Sequence, residues 1–181
     1  MTDQPCDESS LGCDPDGPGR AEAGTARQLG YFVMRFGEVL YAFPDRDVSF
    51  VANVTRPTRI PTAPDVFLGV VHVRGHIVAV VDLPRALGLP PPAPVGPEER
   101  LDQRLIVLQS RDRFAVVADA ALGQHWVSSH AVRTSASDAL DSAGGGRTSF
   151  VEGEFDHPQG VVTVLSAAAL LQDLGQDRTT P

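Results

Sequence analysis

The chain has 181 residues, a formal net charge of −8 and fifteen basic residues, all of which are arginine. The absence of lysine excludes a Schiff-base lysine, a phosphate-binding loop of the G-x-x-x-x-G-K-[ST] type and the strand lysine of a protein kinase. The acidic balance argues against a surface for nucleic acid or an anionic membrane, because both favour a concentrated basic patch.

Residues 1–29 are expected to form a disordered acidic tail, because they contain almost no large apolar residue to offset the entropy of ordering. Six acids and two arginines give this segment a charge of −4, half of the total. It lacks the pattern of a secretory signal, and no apolar run in the chain reaches the ~18 residues that span a bilayer, so we expect a cytoplasmic location. Cys6 and Cys13 stand in this tail without nearby partners for zinc, and we expect no metal or other cofactor.

Seven short runs rich in Val, Ile, Leu and Phe follow the tail, and most are bounded by Gly, Pro, Asp or Asn. This pattern predicts β-strands. In chain order the runs are YFVMRF, VLYAF, FLGVVHVR, HIVAVVDL, RLIVLQS, RFAVVAD and GVVTVL. We expect the first two to form a hairpin around Gly37-Glu38, and the fifth and sixth to form another around residues 110–113.

Two short helices are predicted from their capping residues. Asp82 is a good N-cap, Pro84 falls in the first turn and Gly88 is placed to end the first helix. Ser166 can cap the run AAALLQDL in the same way, with Gly175 as its end.

The chain reads as two similar halves, at about 30–90 and about 99–175, with a proline-rich linker at 90–98 and a short C-terminal tail at 176–181. An offset of 74 residues places the hairpin at 31–43 on the hairpin at 105–117, and an offset of 84 relates 69–87 to 153–171 without a gap. The second offset places Gly69 on Gly153, Val78 on Val162, Asp82 on Ser166 and Leu87 on Leu171. Because each half has strands too short to cover a core alone, the repeat predicts two small β-barrels packed together.

The segment at 67–90, FLGVVHVRGHIVAVVDLPRALGLP, resembles the CheW family of bacterial chemotaxis adaptors. The family pattern has a Gly-rich entry, an Arg-Gly turn, an apolar strand, an Asp-Leu cap and a short helix that ends in Leu-Gly. These features fall on Gly69, Arg74-Gly75, residues 78–81, Asp82-Leu83 and Leu87-Gly88. The resemblance extends over about 30–174.

The resemblance implies a mainly β fold of two packed five-stranded SH3-like barrels with short helices. It implies a non-catalytic adaptor that links the cytoplasmic hairpin tip of a chemoreceptor to a histidine kinase. A receptor helix would lie in an apolar groove between the barrels, and the regulatory domain of the kinase would dock on a barrel end. No enzyme activity, nucleic-acid partner or direct membrane insertion is expected.

The sequence departs from the family pattern at several positions. The usual Val-x-Glu-Val after the first hairpin reads Val48-Ser49-Phe50-Val51, so that Phe50 replaces an acid. His72, Ala79 and Ser166 also depart from the usual residues. These changes favour, as an alternative, a specialised paralogue that binds only the receptor or only the kinase, in motility or another sensory pathway.

Arg74 and Gly75 are the leading candidates for partner binding, together with an apolar group that would line the groove. That group is Val48, Phe50, Val51 and Val78. Strand alternation places Arg74 on the face opposite Val71 and Val73. Arg74 could present its donors to a partner, or it could brace the fold by pairing with Asp82 or Asp119.

Enzyme and metal interpretations have weaker support in the sequence. His72 and His76 have the i, i+4 spacing of a helical zinc motif, but they fall on strand and turn sequence. The third hypothesis is a small hydrolase or ligand-binding barrel, but the sequence has no G-x-S-x-G nucleophile motif to support it. Gly144-Gly145-Gly146 fits a flexible loop better than a phosphate site. Trp126, the sole tryptophan, would pack in the core or, if exposed, anchor an interface.

Overall fold

The computed structural model describes residues 27–89, 102–109, 112–134 and 149–176. Most of the acidic tail, both cysteines, the proline-rich linker, the Gly144-Gly145-Gly146 run and the C-terminal tail after residue 176 lie outside the described residues. The strands are β1 (Gln28–Phe36), β2 (Val39–Pro44), β3 (Val48–Asn53), β4 (Phe67–Val73), β5 (His76–Val81), β6 (Arg104–Gln109), β7 (Arg113–Ala118), β8 (Ala120–Ser128), β9 (Val151–His157) and β10 (Gly160–Leu165). The α-helices are α1 (Leu83–Ala86) and α2 (Ala167–Gln176).

All seven predicted strands are present, and β3, β8 and β9 are additional strands. The additional strands carry charged or small residues that interrupt the apolar pattern, as in the β8 sequence AALGQHWVS. β1 begins at Gln28, inside the segment expected to be disordered, because Gln28 and Leu29 pair with Ser128 and Val127 of β8.

The strands form two five-stranded sheets, which confirms the predicted pair of SH3-like barrels. Barrel A has the strand order β8-β1-β2-β10-β9, and barrel B has the order β3-β6-β7-β5-β4. Each barrel therefore combines the first hairpin of one half of the sequence with the last three strands of the other half. Neither half builds a barrel from its own strands alone.

Three apolar cores hold this arrangement together. One lies inside barrel A around Val33 and Phe155, and another lies inside barrel B around Val78 and Val107. The largest lies between the barrels, where the outer faces of the hairpins β1–β2 and β6–β7 meet, and it includes Met34. Because the two hairpins are buried on both faces, their sequences are nearly continuous apolar runs.

The helices close the core between the barrels and begin at the predicted caps. The Asp82 carboxylate accepts a hydrogen bond from the Arg85 backbone N–H at 3.3 Å, and the Ser166 hydroxyl accepts one from the Ala169 N–H at 3.4 Å. α2 continues one residue past Gly175. Among the residues that the structure describes, no helix has the length and apolar character needed to cross a membrane.

The two glycines matched by the repeat have the same structural role. Gly69 lies against the backbone of Thr58, and Gly153 lies against the backbone of Arg133. In each barrel an isolated β-bridge beside the glycine ties the preceding loop to the sheet, through Thr58 and Val70 in barrel B and through Arg133 and Glu154 in barrel A. A side chain at either glycine would push this bridge apart.

Candidate partner-docking surface

The hairpin of β4 and β5 ends in a two-residue turn formed by Arg74 and Gly75. Val73 pairs with His76, and both turn residues have positive φ, 49° and 82°. Positive φ at both central residues defines the type I′ turn, whose twist matches that of the flanking strands. Glycine adopts this conformation freely, whereas arginine rarely does. The turn therefore fixes the Cα–Cβ direction of Arg74 at the exposed tip of barrel B.

The Arg74 side chain lies over an aromatic ring of β3. Its guanidinium carbon is 4.4 Å from the centroid of the Phe50 ring, which is cation–π geometry. Phe50 is half-buried and packs against the core of barrel B, next to a register shift between Val48 and Phe50. The structure thus brings together two residues that the sequence singled out separately.

The two carboxylates considered as braces for Arg74 have other partners. Asp82 caps α1 and forms an ion pair with Arg85 at 3.8 Å. Asp119 accepts hydrogen bonds from the Gly37 backbone N–H at 2.8 Å and from the Gln103 side chain at 3.2 Å. Within the described part of the chain, no ion pair involves Arg74.

The predicted apolar group does not line one groove. Val78 is completely buried in the core of barrel B, so it is a core residue and offers no surface to a partner. Val48 and Val51 are half-buried and pack against the core between the barrels, whereas Phe50 packs against the interior of barrel B. The register shift in β3 lies between Val48, which faces the core between the barrels, and Phe50, which faces the interior of barrel B.

The outer face of β4 and β5 carries an exposed apolar surface that sequence reasoning missed. The Ile77 side chain is 75% exposed, and Ile60 and Leu68 are also exposed. An open cavity of about 410 Å³ lies on this side of barrel B, and Ile60, Phe67 and Ala79 are among its lining residues. Alternation from buried Val78 could have placed Ile77 on the outer face. We call Ile60, Leu68, Ile77 and the cavity the β4–β5 face.

The two histidines of the zinc-like spacing do not converge. His72 pairs with Ile77 and His76 pairs with Val73, so the two rings belong to opposite faces of the hairpin. The described residues contain no group of three or more His, Cys, Asp or Glu side chains that could hold a metal ion.

Barrel A also has an exposed aromatic residue, on β8. Trp126 is 61% exposed, and its ring covers Gly30, where an added Cβ would come within 3.1 Å of it. Trp126, Tyr31 and Glu152 border a cavity of about 390 Å³. Burial, and then the nearby Glu152 carboxylate, raise the pKa of Tyr31. Trp126 therefore has the exposure expected of an interface anchor.

The tip of barrel A differs chemically from the tip of barrel B. The turn between β9 and β10 consists of Pro158 and Gln159, and the Gln159 N–H donates to His157 Nδ1 at 3.3 Å. The rings of His157 and His125 are 4.8 Å apart between centroids. Burial, and then the His125 ring, lower the pKa of His157.

Two interleaved five-stranded barrels closed by short helices define a fold of the SH3-like type. Its exposed apolar and charged side chains lie at hairpin tips and on sheet faces. A family model described as the CheW-like domain matches residues 30–175, and the chain belongs to this family.

The fold is also similar to that of a solved structure. The structure matches the crystal structure of the scaffolding protein TtCheW from Thermoanaerobacter tengcongensis with a TM-score of 0.67 at 21% sequence identity. The match covers 80% of this chain and 92% of that chain. No curated protein sequence matches the chain.

Proposed function

We propose that the chain is a non-catalytic cytoplasmic adaptor of chemotaxis-type signalling, which couples the hairpin tip of a chemoreceptor to a histidine kinase. The observation that carries this proposal is the CheW-like domain, which occupies residues 30–175 and so almost all of the described chain.

The tip of barrel B and the β4–β5 face provide the chemistry for protein contacts. Arg74 presents a cation at the turn, Ile77 adds exposed apolar area close to the turn, and Leu68 adds more at the other end of β4. An amphipathic helix can bury its apolar face on such a surface, while the charge sets orientation and association rate. Phe50 supports the tip from β3, whereas Val48 and Val51 pack against the core between the barrels.

The test is co-purification of the full chain with a receptor hairpin tip and with the regulatory domain of a histidine kinase, each assayed separately. We expect retention of both partners. Arg74→Glu should weaken binding to at least one of them and leave the circular dichroism spectrum and melting temperature unchanged. Retention of neither partner by the wild-type chain would contradict the adaptor function, and unfolding of Arg74→Glu would make Arg74 a structural brace.

A second candidate function is an adaptor that binds only one of the two partners. Phe50 favours this alternative, because an aromatic ring stands where the family pattern has an acid, and the surface around Arg74 is correspondingly less acidic. Retention of the kinase domain alone, or of the receptor tip alone, would select this alternative.

A further inference from the structure

We propose that Phe50 is the positioning residue for Arg74, and that the stacked guanidinium docks on a carboxylate of the protein partner. The proposal rests on the adaptor function, since it specifies the chemistry of the same docking surface. Three features of the structure carry it: the ring contact, the turn geometry and the absence of an ion pair from Arg74 to any other described residue.

The ring contact orders a side chain that would otherwise be mobile. Arginine has several rotatable bonds, and ordering them on binding costs free energy. The type I′ turn fixes the direction of the Arg74 Cα–Cβ bond. The Phe50 ring, whose centroid is 4.4 Å from the guanidinium carbon, holds the other end of the side chain. Phe50 can serve as this support because it is half-buried and packs against the core of barrel B.

The same contact leaves the hydrogen-bonding capacity of the guanidinium free. The Phe50 ring has no oxygen or nitrogen acceptor, so the contact forms no conventional hydrogen bond with any of the five N–H donors of the guanidinium. Two parallel N–H donors match a carboxylate in a bidentate pair. A carboxylate at position 50 would compete for these donors, whereas Phe50 does not. The partner is therefore expected to place an Asp or Glu against the tip of barrel B.

The stack itself can be measured in the free protein by NMR. The Arg74 side-chain protons should be shifted upfield by the ring current of Phe50, and the shift should persist in Phe50→Tyr and disappear in Phe50→Leu. Arg74 shifts at random-coil values in the wild-type chain would overturn the proposal.

The docking role is tested by calorimetric titration with whichever partner domain the wild-type chain binds. Arg74→Gln should weaken binding about tenfold through loss of the charge-assisted pair, and Phe50→Leu about threefold through loss of the stack. Phe50→Tyr should restore wild-type affinity, and the double variant Phe50→Leu/Arg74→Gln should bind no more weakly than Arg74→Gln. Affinity should fall with added salt in the wild-type chain and less steeply in Arg74→Gln.

The outcomes separate the two proposals. A wild-type chain that binds neither domain contradicts the adaptor function, and with it the docking role of Arg74. If the wild-type chain binds and Phe50→Leu binds equally tightly, only the positioning role of Phe50 is overturned. The same holds if Phe50→Leu lowers the affinity by the same factor in the wild-type chain and in Arg74→Gln. Thermal melts of each variant identify any loss of binding that comes from unfolding.

Discussion

The tips of the two barrels have the same place in the fold but different chemistry. The offset of 84 residues places Arg74 of barrel B on Pro158 of barrel A. Arg74 has a φ of 49°, which proline cannot adopt because its ring holds φ near −65°. The tip of barrel A therefore has a different turn and no cation at this position.

The arginines close to each tip also differ in their partners. In barrel A, Arg133 forms a bidentate pair with Asp156, with both N–O distances at 3.0 Å. In barrel B, Arg74 lies on an aromatic ring. The cation of barrel A thus has its carboxylate within the chain, whereas the cation of barrel B remains available to a carboxylate from outside.

By contrast, the parts that hold each barrel together are matched. Gly69 and Gly153 both allow a close backbone approach, and Asp82 and Ser166 both cap a helix that covers the core between the barrels. The two barrels thus share their close-packed glycines and their helix caps but differ at their tips, so the tips are where residues that select partners should be sought.

The largest expected effect comes from the matched glycines. Gly69→Ala should lower the free energy of unfolding by about 4 kcal/mol, because the added Cβ meets the Thr58 carbonyl and the backbone is also at positive φ. Gly153→Ala should cost about 2 kcal/mol, because its Cβ would lie 2.6 Å from the Arg133 carbonyl oxygen and the φ penalty is absent. Urea unfolding measures both.

Gly175→Ala is the control for these substitutions. Nothing lies within 4 Å of an added Cβ at this position in α2, and alanine favours helix by about 1 kcal/mol over glycine. Equal losses at Gly69 and Gly153 would show that backbone strain adds nothing in barrel B.

The two helix caps should have intermediate and similar effects. Asp82→Ala and Ser166→Ala each remove one hydrogen bond to a backbone N–H in the first turn, and each should lower the free energy of unfolding by about 1 kcal/mol. Chemical denaturation of the two variants gives the comparison. A loss confined to Asp82→Ala would mean that its ion pair with Arg85 matters more than the cap.

The smallest expected effect is a pH dependence in barrel A. Burial and His125 disfavour protonated His157, so its pKa lies below the ordinary value of 6.5 in the folded chain. As the pH falls through 6.5 the unfolded chain binds more protons than the folded chain, and stability decreases. His157→Gln should reduce this loss between about pH 7.5 and about pH 5.5, which urea midpoints can follow. An unchanged pH dependence in the variant would exclude His157 as its source.

The sequence predicted much of the fold because the apolar signal is strong where both faces of a strand are buried. β1, β2, β6 and β7 face a barrel interior on one side and the core between the barrels on the other, so they read as continuous apolar runs. β8 and β9 have one exposed face and a weaker pattern. The exchange of hairpins between the halves depends on long-range pairing, such as β10 with β2, which no local pattern encodes.

The candidate site was predicted only in part, for reasons of strand register. The Arg-Gly pair is a local turn signal, and Arg74 and Gly75 do form the exposed turn. The register shift between Val48 and Phe50 cannot be read from the sequence, so the sequence did not show that Phe50 faces the interior of barrel B while Val48 and Val51 face the core between the barrels. The contact of Arg74 with Phe50 joins residues 24 positions apart in the sequence, beyond the reach of a local pattern, and became visible only in the structure.

The most direct test of the account is a titration of the kinase regulatory domain, and separately of the receptor tip, into three forms of the protein. These are the wild-type chain, Arg74→Gln in barrel B and Arg133→Gln in barrel A, the last two being matched in the charge they remove. Arg74→Gln should weaken binding to at least one partner about tenfold, while Arg133→Gln should bind as tightly as wild type. Equal effects of the two variants, or a larger effect of Arg133→Gln, would contradict the assignment of docking to the tip of barrel B.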